Sequence, residues 1–214
     1  MPQELRDEMY SYLWYGTDTK RTLQLYAAYG FARKKGKFGW ELPQFALPAY
    51  MGAAMADEAI SYLYRDVFSD YARAVNMLFL DKFMTHDVFG RNFRAIDWIT
   101  TLRIDWRGGN DSRTEKHAVQ AALETLSEHT FPSPIAVEVE LSGYSRLEGP
   151  RSSIVDKLER FRSTYVALIG KGHAVTIKEA HWKMDVADYY TMSAEAWYKK
   201  TDAMIEGTSS GSMS

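Results

Sequence analysis

No cysteine occurs among the 214 residues, which removes disulfides, thiolate zinc sites and cysteine nucleophiles together. Also missing is any apolar run of about 18 residues, the length that a membrane-spanning helix needs. The opening Met1-Pro-Gln-Glu-Leu-Arg-Asp-Glu8 is too charged for the core of a secretory signal, so the expectation is an intracellular protein, cytoplasmic or nuclear, with no membrane partner. Charge of one sign is lacking too. The 26 Lys and Arg stand against 28 Asp and Glu, a net charge of -2, and charge alone therefore calls for no polyanion. What is present, 46% hydrophobic and 25% charged residues, suits a soluble globular chain that buries a core without staples, and excludes disordered and collagen-like classes.

Motifs that carry chemistry are scarce. His86, His117, His129, His173 and His181 form no ligand pattern, and the zincin spacing His-Glu-x-x-His does not occur. The Gly-x-Ser-x-Gly match at Gly207-Thr-Ser-Ser-Gly211 has neither a strand before it nor a helix after it, as a nucleophile elbow requires. There is no P-loop, and Gly108-Gly109 and Gly170-Lys-Gly172 read as ends of strands and helices. No metal and no cofactor is expected. Catalysis would need residues brought together from distant parts of the chain, and a non-enzymatic role is preferred.

The first half of the chain has helical periodicity. Pro2 suits a first turn because it has no N–H to leave unpaired, and Leu5, Met9 and Leu13 recur every four residues as the expected buried stripe. A second pattern runs through Leu23, Leu25, Tyr26 and Tyr29. After the loop Arg33 to Trp40, Met51, Met55, Ala59 and Leu63 form another stripe, and a further helix is expected over about 71–84. Tyr10, Tyr12, Trp14 and Tyr15 cannot all face inward from one helix, so some aromatic surface should be left for solvent or a partner.

From residue 98 the period changes to two. Leu102, Ile104 and Trp106 alternate with Arg103 and Asp105; Val137, Val139 and Leu141 with Glu138 and Glu140; Val175 and Ile177 with Thr176 and Lys178. Helical runs separate these strands, one from about Arg113 to His129 and one from Ser153 to Leu168, and a last helix is expected from Val186 to Ile205. The strand centres Leu102, Val139 and Ile177 are evenly spaced, 37 and 38 residues apart. Crossover helices make such strands parallel. A parallel sheet covered on both faces shows continuous apolar runs, whereas alternation leaves one face open. The expected fold is α+β: a mainly helical part over 1–92, then a β-α-β-α-β unit over 93–206 with its helices on one face of a small parallel sheet, like the units of leucine-rich repeats, and a disordered tail over 207–214. The open face, with Arg103, Asp105, Glu138, Glu140, Thr176 and Lys178, is the expected partner-binding surface.

The segment Pro2-Gln-Glu-Leu-Arg-Asp-Glu-Met-Tyr-Ser-Tyr-Leu13 resembles the proline-x-glutamate-leucine-arginine opening of the F-box-like proteins abundant in filamentous fungi, with Met1 where a leucine usually stands. Met55 to Phe68, Phe79-Leu-Asp-Lys-Phe83 and Ile99 to Ile104 resemble later segments of the same proteins, so that the likeness covers roughly residues 1 to 106. The resemblance implies a substrate-recognition adaptor of a cullin-type ubiquitin ligase. Its opening helix, with Pro2, Leu5, Met9 and Leu13, would dock on a Skp-family linker, and a downstream repeat part would hold the substrate. The alternative partner is single-stranded nucleic acid, through the basic and aromatic run Arg33, Lys34, Lys35, Lys37 and Trp40, which otherwise reads as a solvated loop.

Overall fold

The computed structural model describes residues 1–15, 17, 43–67, 74–87, 89, 91–107, 112–142, 150–179, 184–185, 187–193 and 195–200. The helical pattern expected over 23–29, the basic loop and the tail from 207 lie outside these.

Helix α1 (Gln3–Tyr15) forms where Pro2 and Glu4 favour a start, but it packs on a different face from the one its aliphatic spacing suggests. Tyr10 and Trp14, one turn apart, are fully buried, while Leu5 is 53% exposed and Met9 and Leu13 lie half-buried at the margin. The larger aromatic surfaces decide the rotation, because an indole or phenol ring removes more area from water than Leu or Met, and the Trp14 indole N–H also finds the Ala59 carbonyl at 2.9 Å. The ring of Trp14 stands edge-on to Phe45, with centroids 4.8 Å apart. Below it lie α2 (Pro48–Met51) and α3 (Ala53–Tyr62), separated at Gly52, whose φ of +78° is a conformation that glycine adopts without strain. Arg6 Nε and Gln3 Nε2 both donate to Oε1 of Glu58 at 2.9 Å, which ties the exposed side of α1 to α3.

The helix expected over about 71–84 is a correction. The chain there forms a two-residue strand β1 (Val75–Asn76), a 3-10 turn (Met77–Phe79) and the short helix α4 (Leu80–Thr85). Asn76 explains the break, because its side chain accepts the N–H of Leu78 and supplies a local alternative to continuing a helix.

The period-2 segments become β2 (Thr101–Arg107), β3 (Ala136–Ser142) and β4 (Ala174–Glu179). With β1 on one side and β5 (Met184–Asp185) on the other, they make a sheet in the order β1-β2-β3-β4-β5, the first four strands parallel and β5 antiparallel. Connecting them are α5 (Arg113–Glu128) and α6 (Pro150–Gly170). Ser112 caps α5: its hydroxyl accepts the N–H of Glu115, whose carboxylate accepts the N–H of Ser112. Both helices are amphipathic, with Val119, Ala122, Leu123 and Leu126 buried on α5 and Ile154, Leu158, Phe161 and Leu168 on α6. The Thr164 hydroxyl joins them by donating to the Leu123 carbonyl. One buried cluster runs from Tyr10 and Trp14 through the strand residues Leu102, Ile104, Val137, Val139 and Ile177 to Trp197. The architecture is therefore mixed helix and strand, with a small, mostly parallel sheet.

The last helix, expected over 186–205, is also corrected. The chain makes a 3-10 turn at Ala187–Tyr190 and a bend before helix begins again over 195–200. Tyr190 holds the turn in place by donating to the Leu158 carbonyl, and its ring packs on Tyr165.

Candidate interaction surface

Register decides which side chains share a face. Leu102, Val137 and Val175 form one cross-strand row, and Ile104, Val139 and Ile177 the next, with Val75 of β1 beside Ile104. All but Val175 in these rows are buried, and Val175 is half-buried. On the opposite face the rows are Arg103–Glu138–Thr176 and Asn76–Asp105–Glu140–Lys178. The six residues expected on one face are thus brought together, as period-2 alternation on paired strands demands.

Their exposures differ. Arg103 and Glu138 keep 44% and 40% of their side chains exposed while Nε of the first lies 3.1 Å from Oε2 of the second. Glu140 and Lys178 are exposed, Thr176 is half-buried and Asp105 is buried. The central strand β3 thus carries two carboxylates, flanked by Arg103 on β2 and Lys178 on β4. Asp105 apart, the charges of this face sit in water at little cost, since exposed pairs contribute about 0–1 kcal/mol. It is also able to accept a partner whose charges alternate in the complementary sense.

Of the positions assigned to docking on α1, Pro2 and Leu5 are exposed, and Met9 and Leu13 are half-buried. Tyr12, 77% exposed, completes the outward apolar side of this helix together with Leu5. Spacing alone missed Tyr12, although the crowding of aromatics on α1 signals that one must point outward. Arg33, Lys34, Lys35, Lys37 and Trp40 lie outside the described residues.

Two further clusters join residues far apart in sequence. Nε and Nη2 of Arg162 donate to the two oxygens of Glu159 at 2.9 Å, the Tyr189 hydroxyl donates to the same carboxylate, and the guanidinium lies 5.3 Å from the centres of both the Tyr189 and Tyr190 rings. Arg162 and then Tyr189 hold the Glu159 carboxyl down at about 2. Burial drives the Tyr190 phenol well above its usual range. The 3-10 turn is in this way fixed to α6. The second cluster is the pair His129 and His173, both edge-on to Phe131, with centroids 4.8 and 5.1 Å away. Of the other histidines His86 and His117 are exposed, and His181 lies outside the described residues. Among the described residues no three His, Asp or Glu side chains are grouped as a metal site. None of the described helices is long and apolar enough to cross a membrane. Comparisons with protein-family models, with curated proteins and with solved structures gave no match.

Proposed function

We propose that the chain is an intracellular protein-interaction module that holds a partner against the polar face of its sheet. The observation that carries this reading is the pair of accessible polar rows on β2, β3 and β4, where Arg103, Glu138, Glu140 and Lys178 reach solvent from a sheet whose other face is core. Polar alternation on a parallel sheet has no role in stabilising the core, and it leaves a rigid, patterned surface fixed by backbone register. The opening helix fits the adaptor role in a cullin-type ubiquitin ligase, since Pro2 just before α1 and Leu5 on it remain exposed while Tyr10 and Trp14 anchor the helix.

Two measurements divide the proposal. Calorimetric titration of the chain with a purified Skp-family linker should give saturable heat that Leu5→Asp abolishes. Absence of heat with the unaltered chain contradicts the adaptor role and leaves the sheet surface to be judged alone. For that surface, a photoreactive residue at position 140 should cross-link a discrete partner in a cell extract, and Glu138→Ala or Lys178→Ala should weaken the adduct. An adduct unchanged by both substitutions contradicts the sheet face as the binding surface.

A further inference from the structure

At the end of the sheet where the parallel strands begin, a side chain does the work of a neighbouring strand. Ile135 stands one residue before β3. Its carbonyl accepts the N–H of Ala174 at 3.0 Å, but its own N–H donates to Nδ1 of His173 at 3.2 Å. The cap of α6 places His173 there. Gly172, at φ +83°, sends its N–H to Ile169, and His173 sends its N–H to Leu168, the paired bonds that close a helix with a glycine just beyond its end. His173 is then 6% exposed, its ring against Phe131, and His129 lies edge-on to the same phenylalanine.

A ring nitrogen that accepts a hydrogen bond carries no proton, so neutral His173 has its hydrogen on Nε2. That atom is buried and, among the described residues, has no hydrogen-bond partner. A second proton has to enter at Nδ1, where it would face the N–H of Ile135, donor against donor, and would leave a cation in a site built for a neutral ring. The surrounding charges do not offset this. Lys171, which bears on His173, is itself a cation and donates to the Ser127 and His129 carbonyls. Asp97 lies 4.0 Å from Nε2 of His129 and both of its oxygens already accept from Arg94; among the described residues no carboxylate bears on His173.

We propose that His173 is an acid-sensitive clamp: neutral, it joins the start of β3 to the start of β4; protonated, it releases Ile135 and loosens that end of the sheet. Burial first, then Lys171, push the His173 imidazole below its ordinary value. For His129 burial is again the largest cause; Asp97 opposes it, and Arg94 and Lys171 add to it. The sign follows from the folded state preferring the neutral ring. Stability from the clamp is complete above the unfolded-chain value of about 6.5 and is lost as pH falls through it toward the lower folded value.

Ring nitrogen and amide spectra of the labelled protein test this without any substitution. Nδ1 of His173 should show the shift of an unprotonated acceptor at neutral pH, its titration midpoint should lie below about 6.5, and the protection of the Ile135 amide should fall about tenfold with the same midpoint. A midpoint at or above that of an unstructured histidine, or an Ile135 amide indifferent to the titration, overturns the clamp. His173→Asn supplies the second arm, because its side-chain oxygen can accept from Ile135 but does not titrate. This variant should lose the pH dependence of Ile135 protection while His129→Asn keeps it. Equal pH dependence in the unaltered protein and in His173→Asn also overturns the proposal.

Discussion

Trp14 does for α1 what the aliphatic stripe was expected to do. Its ring is fully buried, touches Phe45 and gives its N–H to Ala59, whereas Leu5 points outward. Trp14→Ala should therefore cost about 3–5 kcal/mol and Leu5→Ala less than about 0.5 kcal/mol, read from urea midpoints at constant slope. Equal losses would mean that the helix packs on its aliphatic side. The spacing of Leu5, Met9 and Leu13 is legible and the helix it signals is real. Which side turns inward is not legible, because that depends on the carbonyl of Ala59, 45 residues away. Glu58 is a second case of a distant partner. Burial raises its pKa, but hydrogen bonds from Arg6 and Gln3 outweigh burial and hold it below the usual carboxylate range. A carboxyl with a depressed folded value stabilises the protein above its unfolded value, and that contribution disappears as pH falls through the folded value. Glu58→Gln should be less stable than the unaltered chain at neutral pH, and the two denaturation midpoints should converge in acid; a gap that persists below both values contradicts the role given to Arg6 and Gln3.

The long elements were readable and the short ones were not. β2, β3 and β4 alternate over six or seven residues, enough for a period to show, and α5 carries both its apolar stripe and its capping pair. β1 and β5 have two residues each, too few for any period, and Val75 sits in a pattern with Leu78, Phe79 and Phe83 that imitates a helix. Glu138→Ala and Lys178→Ala should each change stability by less than about 1 kcal/mol, as substitutions at exposed charges do, whereas Ile177→Ala, on the buried side of the same strand as Lys178, should cost about 2–5 kcal/mol. Thermal melts of the three variants check it. A large loss at Glu138 or Lys178 would mean that the polar face is itself packed.

Across the whole molecule, the plane of the sheet separates the apolar core from a polar strand face on which, among the described residues, Asp105 is the buried exception. Residues of α1, α3, α4, α5 and α6 share one buried cluster with the apolar strand face, and the charged rows lie on the other side. The candidate surface was legible because alternation assigns faces directly. The Arg162 and His173 clusters were not, because each joins residues from separate elements that only the folded chain brings together. The absence of cysteine allows the open face to be measured, since an introduced thiol would be the sole one in the chain. Single cysteines at positions 140, 178, 139 and 113 should divide by their labelling rate with a thiol reagent. The account predicts that Glu140→Cys and Lys178→Cys react within about tenfold of Arg113→Cys at the exposed start of α5, and that Val139→Cys reacts at least about a hundredfold more slowly, through opening of the fold. Protection of Glu140→Cys and Lys178→Cys to the level of Val139→Cys would contradict an open strand face.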